Sequence, residues 1–167
     1  MLWADKWQIS GIWRYRSGLP LDGRQTQDPT YSFVRVGRPD QVAPYRRLDP
    51  SEVRTFTLAS GRTVTGRFAF DPTVFTPVVP TDFPQLRQGT AARNGYEMQG
   101  FQQWDLRISR PVAVTEAVDI EFGLDLLNAF NQRNWAAPFA NIDHPYFGVV
   151  RSEGLGRTVQ LAVRFSF

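Results

Sequence analysis

Few residues in this chain are suited to chemistry. His144 is the only histidine and there is no cysteine, which removes disulfides, thiolate metal sites and any paired-histidine ligand set. His144 lies in Asn141-Ile142-Asp143-His144-Pro145, a run of turn-forming residues that points to a structural or solvated role. Asp119, Glu121 and Asp125 could in principle form an acid–base set or hold calcium. Their period-two spacing instead puts them on one face of a strand, as a polar wall. No phosphate-cradling glycine loop or nucleophile elbow is present. The expectation is a protein that is not an enzyme and has no cofactor or metal.

The charge of the chain is basic but dispersed. The net charge is +3 with a sequence pI near 9.7, and all 19 basic residues except Lys6 are arginine. The arginines are scattered singly from Arg14 to Arg164, and only Arg46-Arg47 are adjacent. A nucleic-acid surface needs clustered positive charge beside stacking aromatics, so no nucleic-acid partner is expected.

The elements behind these residues are strands. Four segments alternate with period two: strands are expected near 7–16, 102–111, 118–128 and 158–167. In the third, Val118, Ile120, Phe122, Leu124 and Leu126 oppose Asp119, Glu121, Gly123 and Asp125. In the fourth, Val159, Leu161, Val163, Phe165 and Phe167 oppose Thr158, Gln160, Ala162, Arg164 and Ser166. Each segment spans about ten residues, the length a tilted strand needs to cross a bilayer. A soluble β-sheet would need a second sheet to cover the apolar face. No run of about 18 apolar residues suggests a membrane helix, and the start of the chain does not read as a signal peptide.

The connections are long, short, long. Residues 17–101 and 129–157 separate strands at one end, whereas only a few residues around 113–116 separate them at the other. Outer-membrane barrels show this asymmetry, with long extracellular loops and short periplasmic turns. A local hairpin is expected in the first loop, pairing 53–58 with 62–70 across Ala59-Ser60-Gly61. No second domain boundary is evident. Aromatics near the strand ends, Trp13, Tyr15, Phe101, Trp104, Phe130 and Trp135, suit the membrane interfaces.

Several motifs in this order carry a resemblance. They are Trp7-Gln8-Ile9-Ser10-Gly11-Ile12 running into Ser17-Gly18-Leu19-Pro20; Phe70-Asp71-Pro72-Thr73-Val74-Phe75; Gly89-Thr90-Ala91-Ala92-Arg93-Asn94 before Gly100-Phe101-Gln102-Gln103-Trp104-Asp105-Leu106; and Leu126-Leu127-Asn128-Ala129-Phe130-Asn131. Together with Phe147-Gly148 and the closing 157–167 they resemble the C-terminal barrel region of TonB-dependent outer-membrane receptors of the Oar-like type, whose N-terminal domain is carboxypeptidase-regulatory-like. The resemblance implies a bacterial outer-membrane location and uptake of a nutrient ligand. It implies four partners: outer-membrane lipid, the barrel assembly machinery, the rest of the receptor with its plug and remaining strands, and TonB acting through that plug. Plug, energy-coupling box and signal peptide have no counterpart here, so a C-terminal fragment is expected. Leu161, Val163, Phe165 and Phe167 look like the aromatic-ended assembly signal of such proteins, read by strand addition.

The fold class expected is therefore all-β: an antiparallel transmembrane β-barrel fragment of about four strands with long extracellular loops, residues 1–167 forming one region. A soluble carbohydrate-binding β-module and a small oligomeric outer-membrane barrel subunit are the alternatives. Parity also suggests a register. A three-residue turn, Ala113 to Thr115, sets Arg107 opposite Glu121, and pairing Asp119 with Ser166 sets Arg164 on the other side. The expectation is a lumenal charge row, Arg107–Glu121–Arg164.

Overall fold

The computed structural model describes residues 6–30, 36–79 and 86–167. The reading of the first five residues lies outside them. In chain order the strands are β1 (Gln8–Arg16), β2 (Pro20–Leu21), β3 (Asp40–Gln41), β4 (Arg54–Thr57), β5 (Thr63–Gly66), β6 (Phe75–Thr76), β7 (Tyr96–Glu97), β8 (Phe101–Thr115), β9 (Val118–Leu127) and β10 (Thr158–Ser166). A 3-10 turn, Pro72–Val74, is capped by Asp71, whose carboxylate accepts from Thr73 N. The described residues are all-β, with every strand pair antiparallel.

Four strands form one sheet in the order β1-β8-β9-β10. They match the four alternating segments, with β8 running further than expected, to Thr115. Pro111 falls in β8 beyond its last pair with β1, Gln8↔Ser109. There β8 has one neighbouring strand, a position that tolerates a missing N–H.

The register of β8 with β9 differs from the expected one. Arg107 stands opposite Asp125, and Pro111 opposite Glu121. The three-residue turn is replaced by a two-residue turn, Glu116-Ala117, after a bulge between Ala113 and Thr115. An even shift of this kind keeps every side chain on its own face, so the period-two pattern cannot detect it. On the far side, Ser166↔Asp119 and Arg164↔Glu121 pair as expected.

The chain divides into two compact units, correcting the single-region reading. The sheet unit comprises the described residues up to Arg16, Phe101–Asn134 and Gly154–Phe167; the loop unit comprises Ser17–Gly100 and Trp135–Glu153. The two long connections are thus not open loops, because segments of both build one core. Every buried hydrophobic residue of the described chain belongs to the loop unit. At its centre Phe70 meets Phe75 and Phe147 edge-on, at 5.8 and 5.3 Å between ring centroids, the geometry that ring quadrupoles favour.

The expected hairpin forms as β4–β5, with Phe56 across from Val64. Gly61 takes φ +79° in its turn, which only glycine adopts without a Cβ penalty. Two threonine pairs, Thr55–Thr65 at 2.8 Å and Thr57–Thr63 at 3.1 Å, link the strands. Gln25 is the buried polar group of this core. Its amide donates to Gln27 O and Val78 O and accepts from Val78 N, so burial leaves it satisfied.

Candidate functional site

The sheet unit presents two faces of opposite chemistry. On one lie Ile9, Trp13, Leu106, Ile108, Ile120, Phe122, Leu124, Leu161, Val163 and Phe165, with Arg110 as the charged exception. Arg110 stands over the Trp7 ring at 5.3 Å, a cation–π contact that covers part of its charge. The other face carries Arg14, Gln103, Asp105, Arg107, Asp119, Glu121, Asp125 and Arg164.

Arg107 is the centre of the charged face. Its Nη1 donates to Asp125 at 3.0–3.1 Å and its Nη2 to Glu121 at 3.4 Å. Gly123 lies between those carboxylates in β9, and a Cβ there would come within 3.1 Å of Arg107 Nη2. Glycine thus leaves the guanidinium room to lie across the strand. The third member of the expected row, Arg164, stands opposite Glu121 in the backbone register. Asp125 has no partner in the period-two pattern, because an even shift that brings it level with Arg107 leaves that pattern unchanged.

Asp105 is a second junction. Its carboxylate accepts from Arg14 at 2.6 Å, from Gln103 at 2.8 Å and from the Asn128 backbone N–H at 2.9 Å. One side chain therefore ties β1, β8 and the end of β9 together. There the chain turns through Asn128 and Asn131, both left-handed with φ +52° and +53°. Asparagine tolerates that region because its amide bonds the local backbone. The Asn128 amide donates to Gln132 O and Leu155 O and accepts from Gln132 N. Asn131 accepts from Arg157 N, and Asn134 bonds both backbone groups of Gln102. Three asparagines spaced three apart so fasten the exit of β9 within the sheet unit. Their spacing was the available sequence signal.

Aromatic rings collect at both ends of the apolar face. At the long-connection end Trp13 stacks on Trp104 at 5.4 Å, and Trp104 meets Phe130 edge-on. Two expected members are elsewhere. Phe101 shares the charged face, under Arg16, and Trp135 belongs to the loop unit, under Arg67. At the turn end lie Trp7, Phe165 and Phe167. The proposed assembly-signal residues are all exposed: Leu161, Val163, Phe165 and Phe167, with β10 forming one edge of the sheet.

The loop unit offers two open clefts. One, of about 320 Å³, is lined by Arg47, Leu48, Gln99 and Trp135. The other, of about 300 Å³, is lined by Arg24, Thr26, Asn141 and Arg151. His144 stacks on Phe139 at 3.8 Å, and its Nδ1 accepts from Tyr146 N, so it serves as packing and turn closure. Burial pushes the Tyr45 hydroxyl up to about 12 and raises that of Tyr96. Both stay protonated donors, Tyr45 to Glu97 O and Tyr96 to Gln41 Oε1. Among the described residues no group of three or more His, Asp or Glu side chains comes together to hold a metal.

An open sheet with an exposed apolar face, a charged opposite face and aromatic belts has the features of a membrane-spanning barrel wall. Comparison with known proteins agrees. Residues 2–160 match the family model of the outer membrane beta barrel domain. No curated protein and no solved structure matches the chain. The chain belongs to the outer membrane β-barrel domain family, and its location is the bacterial outer membrane.

Proposed function

We propose that this chain is part of an outer-membrane receptor that imports a nutrient ligand, of the TonB-dependent type its motifs resemble. Its work on this reading is uptake, without a catalytic step. The observation that supports it is the loop unit. A plain diffusion pore needs only loops that stay clear of its mouth. Here the two long connections are invested in a folded unit with its own aromatic core and two open clefts whose linings mix polar and apolar side chains, as recognition of a ligand requires. The sheet supplies wall strands, its charged face turned to the lumen and its apolar face to outer-membrane lipid. Remaining receptor strands and a plug complete the barrel, and TonB acts through the plug.

Growth of a deletion strain on an array of limiting nutrients tests the reading. The expected result is loss of growth on one scarce nutrient, reproduced when TonB is deleted instead. Growth equal to wild type on every nutrient, or a defect that TonB deletion fails to reproduce, would refute it. The aromatic-ended β10 carries a companion expectation: deleting Phe167 should lower the amount of heat-modifiable, folded protein in the outer membrane without lowering synthesis.

A further inference from the structure

The floor of the second cleft is tied together by hydrogen bonds. The backbone around Arg24 is bridged to that around Asn141, with Arg24 N donating to Ala140 O at 2.9 Å and Ile142 N donating to Arg24 O at 2.8 Å. Asn141 donates to the Thr26 hydroxyl at 2.8 Å while its carbonyl accepts from Asp143 N. One amide N–H is therefore used on the Thr26 oxygen, and Thr26 keeps its hydroxyl proton to donate. Asp143 accepts from Thr26 N at 2.6 Å.

Two arginines, Arg24 and Arg151, line the same cleft. Arg24 has one carboxylate near it, Asp22 at 3.9 Å, too long for a good charge-assisted hydrogen bond. Arg151 has no carboxylate within 4.0 Å among the described residues. It lies instead over the Phe139 ring at 5.1 Å, and Phe139 is stacked on His144. An arginine on a protein surface ordinarily samples many rotamers. One that rests over a stacked pair gives up less freedom when its N–H donors are then used. Arg24, Arg151 and Thr26 thus contribute donors, two cations set against one carboxylate beside Thr26, that of Asp143, which accepts the Thr26 N–H.

We propose that this cleft binds a small solute through a phosphate or carboxylate group, with Arg24 and Arg151 gripping the oxyanion and Thr26 donating to it. This deepens the receptor reading and rests on it for its purpose. Binding to the purified receptor does not depend on uptake, so the two can fail separately. A volume of about 300 Å³ accommodates a small polyanion, and paired guanidinium forks match oxyanion geometry.

The test is calorimetric titration of the intact receptor that carries this chain, purified in neutral-detergent micelles, with inorganic pyrophosphate and then citrate. The expected result is saturable binding of at least one probe. It should weaken about tenfold or more in Arg24→Ala and in Arg151→Ala, the loss expected for one charge-assisted contact, and stay unchanged in Arg93→Ala. Arg24→Lys and Arg151→Lys, which keep the charge without the fork, should fall between, and heat-modifiability checks that each variant folds. Absence of saturable binding by folded wild type would overturn the site, as would undiminished binding by the Arg24→Ala, Arg151→Ala double variant. A response only when phosphatidylglycerol is added to the micelles would assign the chemistry to lipid and also overturn it.

Discussion

The sheet and the loop unit answer the problem of burial in opposite ways. In the loop unit Phe68, Phe70 and Phe147 are at most 1% exposed, and the clustered rings exclude water as in any soluble core. In the sheet Leu161 is 79% exposed and Ile9 73%, while the carboxylates of Asp105 and Asp125 are three-quarters or more covered by their partners. One unit makes its own apolar medium; the other takes its apolar medium from lipid. Burial statistics taken over the whole chain would average these two solvents and describe neither.

The largest expected effect tests the loop unit as a self-sufficient core. Phe70 touches the rings of Tyr45, Phe75 and Phe147. Phe70→Ala should destabilise this unit by about 3–5 kcal/mol, since the surrounding rings cannot collapse fully into the cavity. Hydrogen exchange resolved by segment should show lost protection within Ser17–Gly100 while β8 and β9 remain protected. Equal loss in both units would mean that they do not unfold separately, and the contrast would break.

Next comes the sheet's dependence on lipid. Leu161→Arg on the apolar face should cost roughly 2–4 kcal/mol near the bilayer midplane. On a water-facing strand the same change would stay within about 0.5 kcal/mol. Leu155→Arg serves as the control, because Leu155 is 90% exposed yet lies in a connection outside the strands. Reversible denaturation from lipid vesicles measures both. A neutral Leu161→Arg would place that face in water.

A smaller effect concerns the charged face. Removing Arg107 takes away its pairs with Asp125 and Glu121, each worth about 0.2–1 kcal/mol across a sheet. Lumenal water screens charges that are part exposed, so Arg107→Ala should fall toward the lower end and shrink further as salt rises. Gly123→Ala, which narrows the seat of the guanidinium, should give a fraction of the same loss. A salt-independent cost would instead argue for a dry environment.

What could be read beforehand divides along the same line. Strands crossing between two media carry a face pattern, so β1, β8, β9 and β10 and the pairing of Arg164 with Glu121 were legible. The contact of Arg107 with Glu121 was legible too, but not the residue directly opposite it, Asp125, because an even shift of β8 against β9 leaves both faces intact. The loop unit was less legible still. Outside the β4–β5 hairpin its strands are two residues long, too short for periodicity. Its core joins Leu21, Phe70 and Phe147 from distant stretches of sequence, which no local window connects. The Arg24–Arg151 cleft depends on that same long-range closure.

The smallest expected effect is electrostatic and lies in the loop unit. Arg87 grips Asp40 with two hydrogen bonds, Nη1 to Oδ1 at 2.7 Å and Nη2 to Oδ2 at 2.6 Å, and the Thr90 N–H adds a third at 3.1 Å. The Arg87 hydrogen bond, chiefly, holds the Asp40 carboxyl below its ordinary value of 3.8, against an opposing push from burial. A carboxylate depressed in the folded state binds its proton less readily than in the unfolded chain. Its stabilising contribution is therefore complete above the unfolded value and is lost as pH falls from 3.8 through the folded value. Arg87 is about half exposed, so solvent keeps the contribution modest. Asp40→Asn removes the titration while retaining an acceptor for Thr90. Below pH 3.8 the denaturation midpoint of the loop unit should fall less steeply in this variant than in wild type, with a small, pH-independent loss at neutral pH. Identical acid profiles for the two proteins would show that the Arg87–Asp40 contact contributes nothing to the folded loop unit.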